Sequence, residues 1–206
     1  MVNPRIPFQY SPKRGTLPPP NGKSLIVQIV VALEIFHYDQ PIPRKILSNP
    51  HGIDPVPDLV NYTWMEYGMR CGIPRLIRTL KERDIRAVAC MNSDVIDAYP
   101  DVAEAILEAG WEFQGHGKLQ KSMPEDEEEE IINVSLERMR SFSGQPVRGW
   151  IGPALKESTK TPELLKAAGI DYISDWGVID DQPVWMRTDE GPVVVVPYTA
   201  ELNDAY

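Results

Sequence analysis

Trp111-Glu112-Phe113-Gln114-Gly115-His116-Gly117 reads as a short buried strand that stops on a histidine held between two glycines. Glycine adopts backbone angles that other residues avoid and lets neighbouring groups come close. His116 therefore sits where a strand ends and the chain turns, with a ring nitrogen able to face a ligand. A turn histidine bonded only to local backbone would look the same in isolation, so the reading depends on the other strand ends.

Upstream, Pro100 to Ala109 has the spacing of a helix with Val102, Ala105, Ile106 and Ala109 facing inward and Gly110 as its stop. Before it, Ile85 to Met91 is a strand ending at Asn92, and Ile73-Pro74 opens a helix through Arg83 with Leu76, Ile77 and Leu80 buried. Ser24 to Glu34 (SLIVQIVVALE) is an almost unbroken apolar run, the pattern of a strand buried on both faces, and it ends on a carboxylate. Residues 35–65 are proline-rich and lack periodicity, so a long loop or lid is expected there, with His37 and His51 as loop histidines.

Downstream, Ser122 to Glu125 has capping-box spacing, and the run Glu125 to Glu130 suits a solvated helix start. That helix runs to about Ser143, with Gly144 beyond it. A fourth strand, Val147 to Ile151, ends at Gly152-Pro153; a helix from Thr161 stops at Gly169; and a fifth strand, Ile170 to Ser174, leads to Asp175-Trp176. After a polar loop, Val193 to Val196 makes a sixth strand ending at Pro197-Tyr198.

Strands alternating with helices imply parallel pairing and an α/β fold. Glu34, Asn92, His116, Trp150, Asp175 and Tyr198 all close strands, which favours a barrel with these residues ringing one mouth. Six strands leave such a barrel open, so either the chain is a fragment or a partner or the N-terminal arm covers the edge, and a homo-oligomer is the expected partner. Residues 1–24 read as an extended, proline-rich arm and residues 25–206 as the barrel.

Composition narrows the function classes. The net charge of −9 over 206 residues, with no basic cluster, argues against nucleic acid. No apolar run approaches about 18 residues, so no membrane span is expected. Cys71 and Cys90 lack CxxC spacing, and the N-terminus lacks an apolar leader core, which together suggest the reducing cytoplasm.

The motifs in order resemble the polysaccharide deacetylase superfamily (NodB homology, the fourth carbohydrate esterase family), and within it the allantoinase-like and cyclic-imide-hydrolase-like branch. The residues that carry this are Trp64-Met65-Glu66-Tyr67-Gly68-Met69-Arg70-Cys71-Gly72, Gly110 to Gly117, Gly149-Trp150-Ile151-Gly152-Pro153, Ser174-Asp175-Trp176, Asp180-Asp181-Gln182-Pro183, and Pro197-Tyr198 through Glu201-Leu202-Asn203-Asp204. The resemblance implies a distorted (β/α) barrel, here without its C-terminal strand–helix units, and hydrolysis of an amide or imide C–N bond. Family deacetylases use a strand-end aspartate pair as base and metal ligand, with two further histidine ligands spaced by four. Glu34 matches the base, Ile35 falls on the metal aspartate, His116 matches the first histidine and Gln120 falls on the second. The resemblance therefore disfavours zinc, and no cofactor is expected. It also implies that Arg148 and Asp175 orient the catalytic groups, with a late histidine of the family falling beyond residue 206. Trp64, Glu66, Trp150, Trp176, Tyr198, Glu201 and Asn203 are the expected substrate-binding residues. The expected substrate is a small amide, imide, ureide or N-acetyl sugar. An apolar pocket would raise the pKa of Glu34 towards that of a useful base. The alternatives are an inactive carbohydrate- or ureide-binding barrel and a metal-dependent polysaccharide deacetylase with a replacement ligand such as His37.

Overall fold

Apolar runs of alternating phase form the strands of one sheet, and amphipathic segments between them form the helices that cover it. A computed structural model describes residues 2–49 and 52–203. His51 lies outside the described residues, as does the end of the motif at Asp204. The strands are β1 Val30–Leu33, β2 Val88–Met91, β3 Glu112–Gly115, β4 Gly149–Trp150, β5 Tyr172–Ile173, β6 Val184–Met186 and β7 Val193–Val195. Their order is β1-β2-β3-β4-β5-β7-β6, parallel throughout except for the antiparallel β6–β7 pair. The helices are α1 Leu59–Tyr67, α2 Ile73–Lys81, α3 Val95–Ala98, α4 Pro100–Glu108, α5 Glu128–Ser143 and α6 Thr161–Ala167. The sheet is an unclosed α/β barrel, with seven strands among the described residues rather than the six expected.

Register explains which side chains are core and which are site. Leu33, Met91, Gly115, Trp150, Ile173 and Val195 stand in one row across the sheet. A Cβ on Gly115 would lie 2.5 Å from the Trp150 ring and 3.0 Å from Leu136 of α5, so this row faces the helices. The five other members of the row are almost fully buried. Side chains alternate along a strand, so Cys90, Gln114 and Tyr172 face the inside of the curve. Gly149, in the same inner row, leaves room for Tyr172: a Cβ there would lie 2.1 Å from its ring.

Several sequence expectations change. The strand expected from Ser24 begins at Val30, because β2 provides partners only from Val88 onward; Leu25, Ile26 and Val27 remain exposed. The expected loop over 35–65 gives way at Leu59 to helix α1, capped by Asp58, whose carboxylate accepts from Asn61 N–H. Asn61 in turn holds the preceding loop through Ile46 N–H, Leu47 N–H and the Leu47 carbonyl. A π-helical turn, Gly68–Gly72, joins α1 to α2, so Pro74 continues a helical run rather than starting one. Helix α5 begins at Glu128, not at the Ser122 box. Glu128 itself departs from the solvated acidic run: it is 2% exposed and accepts from Ser158 Oγ at 2.6 Å and from Thr161 Oγ1. The first residues of the arm pack on the domain, with Ile6 buried and Arg187 N–H donating to the Arg5 carbonyl at 2.9 Å.

Asn92, immediately after β2, ties the sheet's upper end together. Its Oδ1 accepts from Ile35 N–H at 2.9 Å, and its Nδ2 donates to the His116 carbonyl. The amide thus bridges the ends of β1 and β3 across the strand between them, and it is fully buried. Asn92→Ala orphans both groups, and each buried unpaired group costs roughly 1–3 kcal/mol. The expected loss is about 3 kcal/mol in urea unfolding with an unchanged m-value, and Asn92→Asp restores little because a carboxylate cannot donate to the His116 carbonyl.

Candidate active site

His116 leaves β3 one residue past Gly115 and is only 4% exposed. Gly117 follows with φ +65°, a turn for which glycine is suited, and a Cβ there would press on Pro153 at 3.1 Å. The ring is oriented by one bond: Nδ1 lies 2.6 Å from the Ile151 carbonyl oxygen. A carbonyl only accepts, so Nδ1 carries a hydrogen and Nε2 is the nitrogen that gains or loses a proton. Nε2 lies 3.5 Å from Glu34 Oε1, an ion-pair distance beyond a direct hydrogen bond. The two groups expected to meet therefore do meet, brought together from β1 and β3 by the strand order and by Asn92. The Glu34 side chain is 32% exposed, so the apolar enclosure expected for it is absent and its carboxylate opens to water.

Burial alone disfavours the charged ring of His116, but the Cys90 sulfur and Glu34 carboxylate beside it outweigh burial and hold its pKa well above the ordinary histidine value. Cys90 was not anticipated in the site. Its signal was positional: it precedes Asn92 by two and so shares its face of β2.

Asp175 joins the site indirectly. Its Oδ1 accepts from Gly152 N–H at 2.7 Å, and Gly152 N belongs to the same peptide unit whose carbonyl holds His116. Burial and the neighbouring Glu157 carboxyl push Asp175 well above the usual carboxylate range, against the opposing pulls of Gly152 N–H and His116. Burial likewise raises Glu157, against the pull of Trp176 Nε1–H, which donates to Glu157 Oε2 at 2.6 Å. Glu157 was missed because it lies in a loop with no periodicity to mark it.

The other expected residues divide. Tyr198 stacks its backbone over Gly177, where a Cβ would lie 2.4 Å from Tyr198 N, so Tyr198 comes beside the turn that follows Trp176. Asn203 Nδ2 donates to the Tyr198 hydroxyl, and Glu201 is exposed on the turn between them. Trp150 is a correction: it is fully buried in the helix-facing row and walls no substrate. Arg148 is another: it lies before β4, at the opposite end of the strand from Ile151, and pairs at the surface with Asp171 at 2.9 Å. Trp64 is 41% exposed on α1, and Glu66 spends its carboxylate on Arg70 at 3.1 Å and on the Tyr99 hydroxyl at 3.5 Å.

A family model described as polysaccharide deacetylase matches residues 55–173, more than half of the chain. The chain belongs to the polysaccharide deacetylase family. Among curated relatives, it is 24% identical over 220 residues to a Schizosaccharomyces pombe protein described as a polysaccharide deacetylase, covering 92% of this chain and 67% of that protein. It is 26% identical over 136 residues to the peptidoglycan deacetylase of Helicobacter pylori, covering 65% of this chain and 46% of the relative. Among solved structures, Puue allantoinase superposes with a TM-score of 0.72 at 24% identity, covering 86% of this chain and 63% of that one, a likeness of fold.

The metal implied by the deacetylase pattern needs three or four protein donors. This polysaccharide deacetylase relative offers His116 and Glu34; Ile35 has no donor, and Gln120 stands where a second imidazole would be. Among the described residues no three His, Cys, Asp or Glu side chains gather in a metal-binding group. The donor set does not fit a resident metal, and no step is derived through one.

A pH dependence follows from the raised His116 pKa. The group's contribution to stability is full below the unfolded value of about 6.5 and is lost as pH rises through the higher folded value. The stability gap between parent and His116→Gln is therefore expected to be widest near pH 6 and to shrink on the alkaline side, read from urea midpoints across a pH series.

Proposed function

We propose that this chain hydrolyses a C–N bond in a small amide, cyclic imide or ureide without a metal. The observation that carries this reading is the Glu34–His116 pair, 3.5 Å apart, with one nitrogen of the ring already committed to the Ile151 carbonyl. Family membership and the relatives named as deacetylase and allantoinase support the reaction class.

Glu34, open to water, takes a proton as the water oxygen bonds to the substrate carbonyl carbon. Nε2–H of the His116 imidazolium donates to the developing oxyanion. Collapse of the tetrahedral intermediate breaks the C–N bond, and the proton held by Glu34 or His116 passes to the leaving nitrogen, giving a carboxylic acid and an amine, amide or urea according to whether an amide, imide or ureide is cleaved. Trp176, next to Asp175, and Tyr198, beside the turn that follows Trp176, are the aromatic residues assigned to the substrate in this reading. Lewis-acid polarisation contributes several kcal/mol in metallohydrolases, so an electron-poor imide or ureide suits this donor set better than an acetamide. The chain spans between about half and two thirds of these relatives' lengths, 46% of the Helicobacter pylori deacetylase and 63% of the allantoinase.

Purified protein is tested on allantoin, a cyclic imide and an N-acetylglucosamine oligomer, before and after chelation. The expected result is turnover of the ring substrates, unaffected by chelator. Glu34→Gln or His116→Ala is expected to lower that turnover at least about a hundredfold while the melting transition stays cooperative. Deacetylation of the oligomer that vanishes on chelation would assign the metal-dependent activity instead, and binding without turnover would assign the inactive barrel.

A further inference from the structure

Two carboxyl groups from different segments, Asp175 after β5 and Glu157 before α6, meet beside Trp176. Each has one oxygen engaged: Asp175 Oδ1 by Gly152 N–H, Glu157 Oε2 by Trp176 Nε1–H. The other oxygens, Asp175 Oδ2 and Glu157 Oε1, are buried and meet no donor among the described residues. Two buried carboxylates facing each other in this way would repel, with no donor on these two oxygens to relieve it. One proton between them removes the difficulty, because a protonated carboxyl donates to its ionised neighbour.

We infer that Asp175 and Glu157 share a single proton, and that the pair, carrying one net negative charge, sets the proton affinity of His116 through the Ile151–Gly152 peptide. Oδ1 of Asp175 accepts the N–H of that peptide, and its carbonyl accepts Nδ1–H of His116. Hydrogen bonds in series polarise one another, so negative charge at the pair strengthens the carbonyl as an acceptor and favours the imidazolium. Burial raises both carboxyls; Glu157 raises Asp175 further while the bond from Asp175 pulls Glu157 down, which supports a proton retained on Asp175 and offered to Glu157. Glu157 is thereby a positioning residue: it acts on His116 without touching it.

The surroundings fit this assignment. Glu34, which stands at Nε2, and Cys90 are the other groups that act on the His116 ring. Glu128 and Arg5 act on Glu157 with opposite sign. Glu128 is held by Ser158 and Thr161, and Arg5 is tied to Glu163 at 2.6 Å and to the Thr159 carbonyl at 2.6 Å, so neither closes on the pair. The two residues stand in the wall of a cavity of about 790 Å³ with Arg5, Leu155, Ser158 and Trp176.

The catalytic consequence rests on the role proposed for His116, but the shared proton does not, and the test reads the proton directly. The His116 ring is titrated by NMR in the parent, Glu157→Gln, Asp175→Asn and the double variant, with melting curves as the control for folding. If one proton is shared, each single substitution leaves one negative charge in place and moves the His116 midpoint little, while the double variant removes the charge and lowers the midpoint on the order of one unit. The infrared band of a protonated carboxyl, present in the parent, disappears in either single variant. Two single variants that each lower the midpoint, with shifts that sum to that of the double, would show two independent carboxylates and overturn the assignment. A double variant titrating like the parent would overturn the link to His116. Failure of the hydrolysis assays alone touches neither result.

Discussion

The amide of Asn92 is the constraint on which the site depends. Glu34 and His116 follow strands that are not neighbours, separated by β2, and adjacent strands stand about 4.8 Å apart. Their side chains approach within 3.5 Å because both backbones are turned in over the end of β2. Asn92 is the group that turns them: it needs an acceptor for Ile35 N–H and a donor for the His116 carbonyl, in one plane and on opposite sides. A side-chain amide has that arrangement, whereas a carboxylate lacks the donor and an alcohol lacks the span. Further bonds reinforce the same point, with Asn92 N–H donating to Leu33, Ser93 N–H to Gly117 and Gln120 N–H to Ile35. The Glu34 carboxylate and the His116 imidazole are thus held from the backbone side.

Glycines decide which face each group occupies. Gly115 yields its place in the outer row to the Trp150 ring, and Gly149 yields its place in the inner row to Tyr172. An aromatic residue is therefore sunk on each side of the same short strand pair, and β4 brings Ile151 to the height of His116. The peptide that follows has its carbonyl on the imidazole and its N–H on Asp175. Orientation of the histidine thus depends on a main-chain group, which fixes the tautomer more rigidly than a rotatable side chain would.

These dependencies explain what was legible in the sequence. Glu34 and His116 could be read because parallel strands in register place the residues just past their ends in one row, and apolar runs show where the strands end. Trp150 misled for a related reason: it also closes a strand, but in the opposite phase from His116, and phase in a two-residue strand cannot be read from periodicity. Arg148 lay at the wrong end of the same strand, pointing away by a full strand length. Helix α1 was hidden because its cap, Asp58, follows Pro57 and the π turn, with its two glycines, comes directly after its last residue. Strand β6 carries Trp185 outward and, among the described residues, lies at the edge of the sheet beside β7, so no continuous apolar run announced it. Glu128 looked like one more carboxylate in an acidic run; its burial is decided by Ser158 and Thr161, some thirty positions away.

The same geometry limits the chemistry available. With Nδ1 committed to a carbonyl, His116 has a single working nitrogen, and with Glu34 against it that nitrogen is stabilised in the protonated form. A protonated imidazole is a donor to an oxyanion and cannot at the same time be a base, so base and electrophile are divided between two residues rather than combined in one. That division needs both groups in their charged forms together, and the charged forms favour each other at 3.5 Å. An imidazolium polarises a carbonyl less than a bound dication would. In the metal-free reaction proposed above, the substrate has to bring some of its own activation, as ring strain or as a leaving nitrogen that carries a second carbonyl, and this is why the proposed substrate is an imide or ureide rather than a simple amide.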